Sequence, residues 1–195
     1  MKHLFLPLIF CLCLVSCGQK KGTASCDTTQ TEQTQTDSSN NDIPSDPDEP
    51  LVGTKFKDFT SGDINGTKHS LSEYIGKAKQ GRKHYVLVDF WASWCRPCMM
   101  ELPNVKNCWE LYRDMGFDVI GVSLDSDKGA WQQAINDNGY DWTQLCDFCG
   151  FDSPAASMYN LEYIPWNILI DESGTIVAAN LRGEELAAKL KQIYK

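Results

Sequence analysis

The sequence predicts a layered α/β domain with a central mixed β-sheet flanked by helices. From Leu51 onward, strand and helix patterns alternate along the chain, which is typical of an α/β fold. Two segments, Tyr85–Trp91 and Phe117–Leu124, are almost continuously apolar, as expected for strands that are buried on both faces of a sheet. The roughly 145 residues from Leu51 to the end are enough to bury one core.

The other elements follow from turn and helix signals. An amino-terminal β-hairpin extension is predicted from Val52 to Phe59 and around the turn Asp63-Ile64-Asn65-Gly66. A helical pattern runs from Cys95 to about Met115, and we expect a kink at Pro103, because proline cannot donate a helix hydrogen bond. We also predict a short helix at 71–80, a helix at 128–138, a helical turn at 155–159, a hairpin with strands at 166–170 and 175–180, and an amphipathic helix at 183–195.

The composition excludes some partners and raises one question. The chain has 18 basic and 26 acidic residues, for a net charge of −8. It therefore offers no sign of a phosphate-neutralising surface, and we predict no binding to nucleic acid. The hydrophobic and charged fractions, 42% and 23%, are those of a globular domain, which we expect to be a monomer. Nine cysteines are unusual for a cytosolic chain and need a metal or redox explanation.

Residues 1–16 are predicted to be a lipoprotein signal peptide. The apolar run Leu4–Val15 has only 12 residues, too few to span a membrane, and follows a short basic start. It ends in Leu14-Val15-Ser16-Cys17, which resembles the bacterial lipobox. That resemblance implies cleavage before Cys17 and lipidation of this residue. The alternative is an ordinary secretory peptide that is cut elsewhere, with Cys17 incidental.

Residues 17–50 are predicted to be the lipidated cysteine and a disordered acidic tether. After Cys17 this stretch is rich in Thr, Gln, Ser, Asp and Pro, and it has almost no large apolar side chain to offset the entropy of ordering. Residues 51–195 form the folded domain. We expect the protein in the cell envelope, anchored by lipid to a membrane and facing the periplasm, with the leaflet left open.

The segment 88–98, VDFWASWCRPC, carries the candidate chemistry. It places Cys95 directly after a buried strand and at the start of a helix, where unpaired backbone N–H groups and the helix dipole favour a thiolate. Arg96 adds a nearby positive charge. Cys98 lies one helical turn further on and can reach back to attack a mixed disulfide. Such a dithiol needs no cofactor and no metal.

The sequence DFWASWCRPC resembles the active-site signature of thioredoxin-like proteins. The surrounding chain resembles the membrane-anchored thiol–disulfide oxidoreductases of the TlpA/ResA type. The resemblance covers essentially all of 51–195 and implies a thioredoxin-like fold. Its matching stretches are Gly53 with Asp58-Phe59, FWASWCRPCMMELP at 90–103, GVSLD at 121–125, and IPWNILIDESGTIVAANLRGEEL at 164–186.

The resemblance also implies roles for single residues. Cys95 is the attacking thiol, and Cys98 is the buried thiol that resolves the mixed disulfide. Pro165 matches the cis-proline that faces the cysteine pair, and the backbone of Ile164 pairs with a bound substrate chain. The predicted substrate groove consists of Trp94, Arg96, Pro97, Ile164, Pro165 and Trp166.

Two carboxylates match positions that support proton transfer to Cys98. Asp89 lies six residues before Cys95, and Glu101 lies six residues after it. Burial raises the pKa of a carboxyl group towards neutrality, where a proton shuttle is useful. Which of the two carboxylates serves is left open.

The chain departs from the family pattern at two places. Trp166 replaces the usual small residue after the cis-proline, and we expect its indole at the rim of the groove. A second pair, Cys146 and Cys149, has the same spacing as the first. It is interpreted as a buried or locally bridged pair, with an auxiliary redox relay as the alternative.

Together these features predict an enzyme that reduces protein disulfides and is recharged by a membrane electron donor. The opposite direction uses the same residues. Two other functions occur on related folds. A thiol peroxidase attacks with a single cysteine in a Thr-x-x-Cys setting, and this chain lacks that threonine. A copper or metal chaperone usually has three residues between its cysteines, and here there are two.

Overall fold

The computed structural model describes residues 51–76 and 83–195. Its elements confirm the predicted α/β class, because a mixed sheet of five strands is flanked by helices. In chain order they are β1 (Thr60–Gly62), β2 (Lys68–Ser70), β3 (Tyr85–Trp91), α1 (Arg96–Tyr112), β4 (Phe117–Ser123), α2 (Lys128–Asn138), β5 (Thr143–Cys146), α3 (Pro154–Met158), β6 (Trp166–Ile170), β7 (Ile176–Ala179) and α4 (Glu184–Ile193).

Strand β3 lies at the centre of the sheet, whose order is β5-β4-β3-β6-β7. It pairs in parallel with β4 and antiparallel with β6. Phe90, next to the end of β3, stands opposite Trp166, which begins β6. The loop after β3, the segment after β4 and the loop before β6 therefore meet at one edge of the sheet. Because α1 begins a few residues after β3, its amino terminus lies at this same edge.

The core occupies both faces of β3. Leu87 and Trp91 point to one face, while Val88 and Phe90 point to the other, because side chains alternate along a strand. Helix α1 packs against α4 and against β4. The largest fully buried side chains are Trp91, Trp131, Phe90, Phe117, Leu71, Leu87, Ile120, Leu124, Leu145, Ile168, Leu169 and Ile170.

Four elements differ from the prediction. The amino-terminal hairpin is a separate two-stranded sheet of β1 and β2, and residues 51–59 form no strand but join residues 174–176 through an isolated bridge and backbone hydrogen bonds. The predicted helix at 71–80 is a 3₁₀ helix at Leu71–Glu73, and residues 77–80 lie outside the described residues. Helix α1 ends at Tyr112 and not at about Met115, because residues 113–115 form a 3₁₀ helix. Pro103 lies inside α1, and the kink expected there stays a prediction. Strand β5 was not predicted.

The signal peptide, the lipidated Cys17 and the tether of the sequence prediction all lie outside the described residues. Within residues 51–76 and 83–195, no helix combines the length and the apolar character needed to cross a membrane.

Candidate active site

Cys95 and Cys98 form a disulfide bond, with an S–S distance of 1.96 Å. Cys95 is the N-cap residue of α1, and its Sγ accepts a hydrogen bond from the backbone N–H of Cys98 at 3.2 Å. Pro97 fits in the first turn because its nitrogen has no hydrogen to leave unpaired. The Cys95 sulfur therefore lies at the positive end of the helix dipole, which stabilises a thiolate when the bond is reduced.

The disulfide itself is nearly covered, while its rim is open. Cys95 is 4% exposed and Cys98 is 5% exposed in this oxidised form. Trp94 immediately before them is 59% exposed, and Arg96 and Pro97 between them are also exposed. The indole, the guanidinium group and the proline ring next to the two cysteines in the chain are thus open to solvent.

The loop before β6 forms the other side of this edge. The Ile164–Pro165 peptide bond is cis, as predicted, and both residues are partly buried. The prediction for Trp166 is wrong. Trp166 is 6% exposed, because it starts β6 opposite Phe90 and packs edge-on against that ring at 5.5 Å. Its indole belongs to the core and does not line a groove.

Asp89 has the most strongly perturbed carboxyl group near the disulfide. It lies partly buried in the middle of β3, and burial raises the pKa of its carboxyl to about 7. The positive charge of Arg182 lowers this pKa, and the negative charge of Glu101 raises it. No hydrogen bond to the Asp89 carboxyl is found within the described chain. At neutral pH this group can therefore both accept and release a proton.

Glu101 is held more firmly than Asp89. Its Oε2 accepts a hydrogen bond from the backbone N–H of Gly183 at 2.9 Å and one from Nδ2 of Asn104 at 3.3 Å. The two carboxylates therefore differ in environment, since Glu101 has two fixed donors and the Asp89 carboxyl has none within the described chain. Glu101 connects α1 to the segment before α4.

Asp125 was missed as a site residue. Its buried carboxylate accepts hydrogen bonds from the backbone N–H of Ser93 at 3.0 Å, from Oγ of Ser93 at 2.5 Å and from Oγ of Ser123 at 2.6 Å. It thereby fixes the loop that carries Cys95. The sequence contained a usable signal, since Ser93 and Asp125 each follow one of two neighbouring parallel strands, whose carboxyl ends must lie side by side.

Cys146 and Cys149 are not bonded to each other, which excludes the locally bridged form of the prediction, while Cys146 is buried and Cys149 is partly buried. Cys146 is a buried free thiol, and burial raises its pKa to about 11. Cys149 is disulfide-bonded. Cys146 is therefore poorly suited to an auxiliary relay. Cys108 is a buried free thiol in α1. Among the described residues, no group of three or more His, Cys, Asp or Glu side chains could hold a metal ion.

Comparison with known proteins points to one family. Residues 52–179 match the AhpC/TSA family. The thiol-disulfide oxidoreductase ResA of Geobacillus kaustophilus is 26% identical over 145 residues, which are 73% of this chain and 78% of that protein. ResA of Bacillus subtilis is 26% identical over 125 residues, 64% of each chain.

Solved structures agree with this comparison. A thiol-disulfide oxidoreductase from Bacteroides fragilis is 35% identical with a TM-score of 0.62, over 71% of this chain and 98% of that one. The thioredoxin domain of a thiol-disulfide oxidoreductase from Bacteroides vulgatus is 29% identical with a TM-score of 0.67, over 75% of this chain and all of that one. The chain therefore belongs to the AhpC/TSA family, and its Cys95–Cys98 pair is the dithiol centre of a thiol–disulfide oxidoreductase.

Proposed function

We propose that this protein reduces disulfide bonds of other proteins in the cell envelope. The observation that carries the proposal is the position of the Cys95 sulfur, which caps α1 and accepts the backbone N–H of Cys98. A sulfur held in this way is stabilised as the thiolate, which is the form that attacks disulfides.

The reaction begins with the reduced protein. The Cys95 thiolate attacks one sulfur of the substrate disulfide, forms a mixed disulfide and releases the other substrate sulfur as a thiolate, which takes up a proton. Cys98 then loses its proton and attacks the Cys95 sulfur. This step releases the second substrate thiol and leaves the Cys95–Cys98 disulfide. Two electrons have passed from the protein to the substrate.

Asp89 is the proposed acceptor of the Cys98 proton. Its carboxyl group has a pKa of about 7, so a large fraction is ionised and ready to accept a proton at neutral pH. Glu101 influences this group through its charge, while its own carboxylate is engaged with Gly183 and Asn104.

The direction of electron flow depends on the reduction potential. The protein must be recharged by a membrane electron donor with a dithiol of lower potential, because the envelope has no glutathione pool of the cytosolic kind. Equilibration with glutathione or dithiothreitol buffers, followed by alkylation and mass analysis, gives the potential. We expect a value below that of the client disulfides, where each 30 mV is about a tenfold change in the equilibrium constant. A value above the potential of the compartment would reverse the assignment to an oxidase.

Covalent trapping tests the attack itself. In cells carrying Cys98→Ser, the mixed disulfide on Cys95 cannot be resolved, so client proteins should be recovered under non-reducing conditions. The matched control carries Cys95→Ser together with Cys98→Ser and should recover none of them. Equal recovery from both would refute Cys95 as the nucleophile.

The membrane anchor is a separate part of the proposal. It is supported by the lipobox-like sequence that ends at Cys17 and by a tether-like stretch up to the folded domain. Two or more acyl chains on Cys17 give stable anchoring, which one chain does not. Besides Cys17, residues 17–50 contain one other cysteine, Cys26. Cells grown with labelled palmitate should label the wild type and the control Cys26→Ala but not Cys17→Ala. Labelling of Cys17→Ala would refute lipidation at this residue.

A further inference from the structure

Four consecutive residues, Asn180 to Gly183, connect β7 to α4. They form hydrogen bonds to the loop before β6, to β6 itself and to α1, the elements that meet at the edge of the sheet where the disulfide lies. We refer to them as the 180–183 loop. Asn167 in β6 holds its centre, because its side-chain amide both donates to the carbonyl of Leu181 at 2.9 Å and accepts the N–H of Leu181 at 3.0 Å. The other contacts join Asn180 Nδ2 to the Tyr163 hydroxyl at 3.2 Å, Arg182 to the carbonyl of Pro165, and the N–H of Gly183 to Glu101 at 2.9 Å.

Arg182 is the charged member of the 180–183 loop. Its guanidinium group donates to the carbonyl of Pro165, to the carbonyl of Leu181 at 3.2 Å and to Oδ1 of Asn180 at 3.3 Å. All three acceptors are neutral, and within the described chain no carboxylate forms an ion pair with this group. The positive charge is therefore held in place without being neutralised by a direct partner.

The sheet register directs this charge towards Asp89. Asp89 stands directly opposite Asn167 in the antiparallel pair of β3 and β6, so the two side chains project from the same face. Because Asn167 holds Leu181, the next residue, Arg182, is brought to that face. The charged or titratable groups that interact with Asp89 are Arg182 from this loop, Glu101 from α1 and Tyr140 from the segment before β5.

We propose that Arg182 is a positioning residue of the dithiol site: its guanidinium group holds the carbonyl of the cis-proline, Pro165, and places its positive charge on the face of the sheet that carries Asp89. The inference rests on the proposed function, since it assigns Arg182 to the proton-transfer and docking steps of that reaction. It explains why a cation without an ion-pair partner is fastened to three neutral oxygens at this place.

The first test needs no turnover. A ¹³C NMR titration of the Asp89 carboxyl in the oxidised protein should give a midpoint near 7 in the wild type. Removal of the positive charge in Arg182→Gln should move the midpoint to higher pH. Arg182→Lys keeps the charge and should stay near the wild type. An unchanged midpoint in Arg182→Gln overturns the electrostatic part of the proposal.

The second test separates the two roles by kinetics. Arg182→Gln should slow single-turnover reduction of a disulfide at pH 7 by about fivefold, with recovery at pH 9, because ionised Asp89 is then restored. Arg182→Gln should also raise KM for a protein disulfide by about tenfold and leave KM for a small-molecule disulfide unchanged. The reason is that a loosened Pro165 segment affects only a substrate chain that docks on it. Arg182→Lys should restore the pH profile but not the KM.

Asp89→Asn provides the matched background. In the Asp89→Asn background, Arg182→Gln should not change the pH dependence of single-turnover reduction. A change in that background would overturn the assignment of the effect to Asp89. Equal KM values for the wild type and Arg182→Gln would overturn the docking role. Failure of the wild type to exchange any disulfide would refute the proposed function alone, because the NMR midpoint tests Arg182 independently of activity.

Discussion

Replacement of Asp89 by asparagine should remove most of the pH dependence of stability that this site creates. Burial raises the pKa of the Asp89 carboxyl from 3.8 to about 7 in the folded protein. Between these two pH values the folded state binds more protons than the unfolded state. Stability therefore falls as the pH rises from about 4 to about 7, and it levels off at higher pH.

The magnitude follows from the shift. A displacement of about three pKa units corresponds to about 4 kcal/mol between the two protonation states. The free energy of unfolding of Asp89→Asn, minus that of the wild type, should therefore grow by about 4 kcal/mol between pH 4 and pH 8. Asparagine carries no titrating proton, so the variant lacks this loss.

Guanidinium unfolding of the oxidised full chain at a series of pH values measures the difference. Asp137→Asn, on the exposed surface of α2, is the matched control and should follow the wild type at every pH. Parallel curves for Asp89→Asn and the wild type between pH 4 and pH 8 would show that burial does not penalise the ionised carboxylate, and the argument for Asp89 as a proton carrier would lose its basis.

Three further predictions concern Asp125, the core at Gly121 and the two buried free cysteines. Asp125→Ala should lower the free energy of unfolding by about 3 kcal/mol, because three donors lose their acceptor, and an unchanged denaturation midpoint would contradict this. Gly121→Ala should lower the free energy of unfolding by about 1–3 kcal/mol, because its new Cβ collides with the side chain of Gln144. Urea unfolding measures this change, and an unchanged free energy would contradict the prediction. Native oxidised protein should leave Cys108 and Cys146 unlabelled by iodoacetamide at pH 8, while unfolded protein is labelled at both, as peptide mass spectrometry can show; rapid native labelling would contradict their burial.

The sequence was informative where local patterns and tertiary packing agree. The apolar runs of β3 and β4 are buried on both faces, and α2 runs from Lys128 to Asn138 as predicted, because Asp127 caps it and Gly139 ends it in a left-handed conformation. The cysteine pair at the start of α1 and the cis bond before Pro165 were also predicted correctly.

The sequence was misleading where contacts between distant parts of the chain decide whether a residue is in a strand or is buried. Strand β5 is four residues long and contains Gln144, whose burial depends on a hydrogen bond from the Trp91 indole at 3.0 Å. Trp166 was assigned to the groove by its position after the proline, whereas the register with Phe90 buries it. The local sequence pattern does not predict the contact of Gln144 with Trp91 or the pairing of Trp166 with Phe90.

The site was predictable in its nucleophiles and less so in its supports. A Cys-x-x-Cys motif is local and can be identified from spacing. Asp125 and Arg182 act on residues 32 and 17 positions away, respectively, so their roles depend on the folded topology. The neighbouring parallel strands gave a hint for Asp125, while the contact of Arg182 with Pro165 had no counterpart in the sequence pattern.

The most direct measurement of the central claim is the alkylation rate of each active-site cysteine in the reduced protein. Iodoacetamide reacts with thiolates, and quenched samples can be resolved by peptide mass spectrometry. At pH 6.5 we predict that Cys95 is modified at least about ten times faster than Cys98, because the helix terminus stabilises the Cys95 thiolate. Equal rates, or faster modification of Cys98, would contradict the assignment of Cys95 as the attacking sulfur.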